Sequence, residues 1–153
     1  MGDPKKQRKK YITPRKMFDP WRIKEEKNLV KKYGLKNRRE IWSAEAKIKK
    51  IRDQIKKLIV FPERQKEFIK HLSDLGLVRE NATIDDVLAL NKEKILERRL
   101  QTLVFNKKLA KTIKQARQMI AHRQIKIKGA VCDSPGRLVR VEEESTINLK
   151  NAS

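Results

Sequence analysis

The sequence predicts an α+β protein, predominantly α, on three observations. Apolar residues recur at three-and-four spacing through residues 41–75, the period changes to two beyond residue 122, and basic charge sits in two separated blocks. These shifts divide the chain into a basic extended arm (1–22), a helical scaffold (23–93), a small module of two helices and a β-sheet (94–141), and a C-terminal strand and tail (142–153).

The charge is large: 40 Lys+Arg against 19 Asp+Glu, a net +21 with a pI near 10.3. Residues 1–39 hold 15 basic and 4 acidic side chains, residues 40–93 hold 11 and 10, and residues 94–140 hold 13 and 2. A nearly neutral middle flanked by two cationic blocks points to a polyanionic partner, because such charge bears on partners and solubility rather than on fold. Hydrophobic content is 38% and aromatic content 5%, which reads as thin-cored. The run Leu58–Phe61 is far too short to span a bilayer, and the polar N-terminus has no secretory h-region. One cysteine, Cys132, permits no internal disulfide and suits a reducing, cytoplasmic setting.

Three prolines (Pro4, Pro14 and Pro20) and no steady period make residues 1–22 an arm expected to order only against a surface. Ile41, Ala44, Ile48, Ile51, Ile55 and Leu58 give the next segment an amphipathic helix. Pro62 suits the start of a second helix, whose stripe is Phe68, Ile69, Leu72 and Leu75 and whose stop is Gly76. Thr83 with Asp86 reads as a capping box for a short third helix. From Asn91 one continuous helix is expected to carry Leu96, Leu100, Leu103 and Val104 inward. Arg98, Gln101 and Thr102 would lie opposite, with Arg99 on the flank.

Thr112 with Gln115 predicts a further capped helix, with Ile113, Ala116, Met119 and Ile120 inward. Its N-terminus beside Lys111 and Lys114 suits a phosphate. Ile125 and Ile127 then alternate with Lys126 and Lys128, Gly129 allows a tight turn into a strand at Val131, and Leu138–Val141 and Ile147–Leu149 read as further extended segments. His71 reads as a surface residue, His122 as a helix-end residue suited to phosphate, and Cys132 as a buried thiol. No Gly-rich phosphate loop, zinc spacing or nucleophile motif is present, so neither catalysis, a cofactor nor a small-molecule substrate is expected.

The block Leu96–Phe105, with Leu109-Ala110, Gln115–His122, Ile125–Gly129 and Asp133-Ser-Pro135, resembles the RNA-binding domain named for protein four of the small ribosomal subunit. RNA-modifying and tRNA-charging enzymes also carry that domain. Lys10–Pro14, Tyr33–Trp42 and Asp85–Leu90 extend the likeness to the ribosomal protein-four family itself, in its archaeal and eukaryotic branch, and the first eight residues favour the archaeal side. The resemblance implies a primary binder of small-subunit ribosomal RNA that helps nucleate assembly. It also implies a neighbour in small-subunit protein five, other small-subunit proteins nearby, and a place near the path by which mRNA enters, with a bearing on decoding accuracy. Monomeric incorporation into the particle, without self-association, is the expectation.

By position, the resemblance places RNA contacts at Arg98, Arg99, Lys108, Lys111, Thr112, Lys114, Gln115, Arg117, Gln118, His122 and Lys126, with Arg117 and Lys114 expected to matter most. The basic loops and strand edges add Lys107, Arg123 and Lys128. The arm adds Lys5, Lys6, Arg8, Lys9, Lys10, Arg15, Lys16 and Arg22, and its aromatics Tyr11, Phe18 and Trp21 suit stacking on bases or plugging a groove. Three positions depart from the commoner family pattern. Gln101 stands for aspartate, Arg123-Gln124 for a glycine-containing turn, and Lys128 for the asparagine before Gly129. The N-terminal zinc-binding cysteines of some bacterial members have no counterpart, so no metal is expected.

Alternatives are a non-ribosomal RNA-modification or ribosome-rescue factor using the same domain, a chromatin-type DNA binder, and a polybasic membrane-surface protein. The first would need a catalytic domain or would lack the Tyr33–Trp42 block. The DNA binder does not fit the motif order, and no helix here pairs a basic face with a large apolar one.

Overall fold

A computed structural model describes residues 9–150. Its elements run α1 (Pro20–Tyr33), α2 (Arg39–Leu58), α3 (Pro62–Asp74), α4 (Ile84–Leu88), α5 (Lys92–Glu97), α6 (Leu100–Asn106), α7 (Ile113–Ala121), β1 (Ile125–Ile127), β2 (Ala130–Val131), α8 (Val141–Glu144) and β3 (Ile147–Leu149). The chain is α+β and predominantly α. Its three strands form an antiparallel sheet in the order β2-β1-β3.

Helix α1 begins where the arm was expected to be extended. Asp19 caps it by accepting from the Trp21 N–H at 3.1 Å, and Pro20 supplies a φ already suited to the first turn. Trp21 and Arg22 are therefore helical. Helix α2 packs against α3, α4 and α5, burying Ile41, Ala44, Ile48 and Ile55 of the predicted stripe. Thr83 and Asp86 cap each other's backbone at the start of α4 as their spacing predicts.

The single helix expected from Asn91 is broken. Arg98 closes α5, and Arg99 turns extended (φ −72°, ψ 143°) to bridge Leu138. The break is imposed from afar. Leu100 N–H donates to Arg137 O at 2.9 Å, Gln101 N–H to Pro135 O at 3.3 Å, and Val139 N–H to Arg98 O at 3.1 Å. The kink re-aims the following turn, so Gln101 (1% exposed) and Thr102 (6%) face inward rather than outward. The Thr102 hydroxyl donates to Leu96 O at 2.7 Å, which satisfies it in the core. Beyond Leu138, Val141 opens the short helix α8 instead of continuing a strand.

Two cores result, and the seam falls between Leu96 and Leu100. The first gathers Leu29, Tyr33, Ile41, Ile48, Ile55, Leu72, Val87 and Leu96. The second gathers Leu100, Val104, Ala116, Ile120, Ile125, Val139 and Ile147, so β3 belongs to the module's sheet. Cys132 is buried in the second core. Among the described residues no helix is long and apolar enough to cross a membrane.

Candidate nucleic-acid interface

Helix α7 and the residues at its two ends carry exposed basic side chains. Thr112 accepts from the Gln115 N–H at 3.1 Å, while the Gln115 side chain accepts from the Lys111 N–H at 2.9 Å, one residue before the cap that a full box would use. Both polar side chains thus hold the α7 N-terminus in shape. Lys111, Lys114 and Gln118 project from it into solvent, and His122 follows at its end, also exposed. Among the described residues, Lys108, Lys111, Lys114 and Lys126 pair with no carboxylate.

Backbone geometry around this surface follows a pattern. Helices α1 and α3 end on Gly34 (φ 57°) and Gly76 (φ 66°), whose following residues, Leu35 and Leu77, donate back to Val30 O and Leu72 O. Helices α6 and α7 end in the same way on Lys108 and Arg123, both at φ 58°, with Leu109 donating to Val104 O and Gln124 to Met119 O. A third cation, Lys128 (φ 49°), shares with Gly129 (φ 80°) the two-residue turn between β1 and β2, where positive φ at both positions fits a type I′ turn. These are all the non-glycine residues with positive φ among the described residues, and each is basic and exposed. The departures seen in the sequence at Arg123 and Lys128 keep the backbone turn and exchange conformational ease for charge. Their ion pairs, Arg123 with Asp133 at 3.8 Å and Lys128 with Glu142 at 3.9 Å, are long and solvated and hold the cations only weakly.

Three expected contact residues have partners within the fold. Arg98 donates to Leu75 O at 3.1 Å, Glu144 Oε2 at 2.7 Å and Val139 O at 3.0 Å, tying the end of α3 to the module. Arg99, 7% exposed, meets Glu40 at 2.6 Å. Arg117, expected to lead the binding surface, donates to the same Glu40 at 2.9 Å and to Gln101 Oε1 at 3.2 Å. Gln101 completes the junction by donating its amide to Gly34 O at 2.9 Å and Ile113 O at 3.1 Å. A carboxylate could accept from the arginines but could not donate to those carbonyls, so glutamine fits this site better than aspartate. Lys107 is likewise turned inward, donating to the Glu144 carbonyl.

Glu40 was not among the sequence candidates, yet it joins the two cores from the first turn of α2. Burial pushes its pKa up, but hydrogen bonds from Arg117 and Arg99 outweigh that and hold the carboxyl below its ordinary value. Its place in the Tyr33–Trp42 block, amid the neutral part of the chain, was the available signal.

The arm divides in two. Tyr11 packs on Trp42 with ring centroids 6.0 Å apart, and the Arg39 guanidinium lies 5.9 Å from the Tyr11 ring. Arg22 pairs with buried Glu26 at 2.5 Å and donates to Lys16 O and Met17 O, and so clamps the arm to α1. Lys9, Lys10, Arg15, Lys16 and Trp21 are exposed, whereas Lys5, Lys6 and Arg8 lie outside the described residues. Among the described residues no His, Cys, Asp or Glu side chains gather into a metal-holding group.

The S4 domain family matches residues 98–145, the module around α7 up to the start of β3. Over 158 residues the chain is 47% identical to the small ribosomal subunit protein uS4 of Ignicoccus hospitalis, covering all of this chain and 95% of that protein. It is 48% identical over 161 residues to the uS4 protein of Thermoplasma acidophilum, covering all of this chain and 81% of that one. For the Saccharolobus solfataricus uS4 protein the identity is 46% over 154 residues, 97% of this chain and 85% of its relative. The similarity runs through arm, scaffold and module alike, and the chain belongs to the small ribosomal subunit protein uS4 family.

Proposed function

We propose that this chain is a structural, non-catalytic protein of the small ribosomal subunit that grips its ribosomal RNA through the face of α7 and the flanking turns. One observation carries the reading. The cations left outward are presented by a capped helix and its approach (Lys114 and Lys111), by turns held at positive φ (Lys108, Arg123 and Lys128), and by the half-exposed Lys126 of β1. Strained backbone bearing a charged side chain is a mark of a functional surface. Gln118 and His122 add polar groups to the same face. Such a spread suits the phosphates and 2′-hydroxyls of folded RNA, since side chains cannot read the narrow major groove of an A-form helix.

In this reading the protein binds early, nucleates the body of the subunit as a monomer, and works beside small-subunit protein five near the path of incoming mRNA, where it affects accuracy. Neutralising roughly 6–10 phosphates would lower affinity about 10³-fold or more over a fourfold rise in salt on the duplex scale. The test is competition at moderate salt between small-subunit ribosomal RNA, transfer RNA and random duplex DNA at equal phosphate concentration. A preference for the ribosomal RNA of about 100-fold, roughly 2.7 kcal/mol, supports specific recognition. Equal competition by all three would overturn it.

A further inference from the structure

The arm carries two aromatic side chains that the fold leaves uncovered. Phe18 is 90% exposed and Trp21 77% exposed, on either side of the Asp19 cap that starts α1. Phe18 occupies the position from which an apolar residue commonly folds back onto the fourth residue of its helix, here Ile23. Its exposure means that this local burial is not used. Tyr11, the remaining aromatic of the arm, is by contrast packed on Trp42.

The exposed pair is also held in place. The Arg22 guanidinium donates to Lys16 O at 3.0 Å and Met17 O at 2.8 Å, and is anchored in turn by Glu26, which is 2% exposed and accepts from Trp42 Nε1 at 2.9 Å. The backbone just before Phe18 is thereby clamped to the helix that bears Trp21. Around the two rings the sequence from 9 to 24 supplies Lys9, Lys10, Arg15, Lys16 and Lys24 besides Arg22. The acidic residue in that stretch, Asp19, has its carboxylate turned to the Trp21 N–H. Aromatic faces set among cations match a ligand that is itself a polyanion bearing flat π-faces. Unpaired bases offer those faces, and a duplex hides them in its own stack.

We propose that Phe18 and Trp21 form a stacking platform for unpaired bases of RNA, separate from the phosphate-gripping face of α7. The proposal rests on the RNA-binding reading above and assigns the arm a different kind of contact, with bases rather than with backbone. The cations that flank the two rings in sequence disfavour an apolar protein surface as the occupant, because it would strand those charges at the contact.

The experiment uses the full chain and its Phe18→Ala and Trp21→Leu variants, with helicity checked by circular dichroism. Short single-stranded oligoadenylate, duplex RNA and small-subunit ribosomal RNA are the probes. Oligoadenylate is expected to quench tryptophan emission in the parent chain, and the quenching should vanish in Trp21→Leu, which retains Trp42. Each substitution should weaken oligoadenylate binding about tenfold and leave duplex RNA affinity unchanged. Unaltered oligoadenylate affinity in both variants, while the parent still prefers ribosomal RNA, would overturn the platform alone. Loss of that preference in the parent would overturn the broader reading instead. Protection of Trp21 from acrylamide in assembled subunits but not by any of the RNAs would overturn the platform and assign this surface to a protein neighbour.

Discussion

Glu40 and Arg117 are 77 residues apart in the sequence and 2.9 Å apart in the fold, and through them the scaffold holds α7. Arg99 closes on the same carboxylate, its side chain 8% exposed. Replacing Glu40 with alanine strands a buried guanidinium, a defect that costs about 3–5 kcal/mol for fully buried pairs. Arg117 is a quarter exposed and can turn partly to water, so a loss of about 2–3 kcal/mol is expected for Glu40→Ala, read as a fall in the urea midpoint.

The same carboxylate sets a pH response. Its pKa is lowered in the fold, so its contribution to stability is complete above the ordinary glutamate value of about 4.3 and is lost as pH falls through the lower folded value. Thermal unfolding of the parent should therefore lose stability in that acid range, and Glu40→Gln should lose less of it. Identical acid profiles for the two proteins would contradict this.

Lys108 and Arg123 occupy positions that glycine would hold more comfortably, and both gain little from intramolecular pairing. Lys108→Gly and Arg123→Gly are expected to raise stability by about 1 kcal/mol each by removing left-handed strain. Each should also weaken ribosomal RNA binding and reduce the salt slope by about one. A variant that gains stability and keeps full affinity would show that its charge is incidental.

Gly34 is required twice over. Its φ of +57° disfavours a side chain, and an added Cβ would lie 2.1 Å from the Ile113 Cγ2 at the start of α7. Gly34→Ala should cost about 2–4 kcal/mol by strain and overpacking together. Because the clash pushes on α7, affinity for RNA should fall with stability, and both can be read from one urea series in the presence and absence of RNA.

What was legible in the sequence was what neighbouring residues decide. The α2 stripe from Ile41 to Ile55, the Thr83–Asp86 cap, the Gly76 stop and the turn at Gly129 all follow from spacing or from a local backbone need. The start of α1 was legible too, in Asp19-Pro20, but the surrounding charge masked it. The break at Arg98-Arg99 was not, because the hydrogen bonds that impose it come from residues 135–139. The same holds for the site. Lys114 stands outward as helical periodicity requires, whereas Arg117 turns inward because Glu40 arrives from another core. A count of cations cannot distinguish those spent on the fold from those left for a ligand.

The sheet order adds a matter of timing. Strand β1 is the middle strand, yet β3, one of its two partners, is made only after α8. A growing chain that has reached Val131 already holds every residue of α7 and the β1–β2 hairpin, but Ile125 and Ile127 still lack the strand that covers them, with Ile147 at 2% exposure in the finished fold. Synthesis therefore delivers the residues of α7 before the strand that completes the sheet behind them. A fragment ending at Val131 should show amide protection across α2 and faster exchange across β1, whose pairing with β3 is then missing.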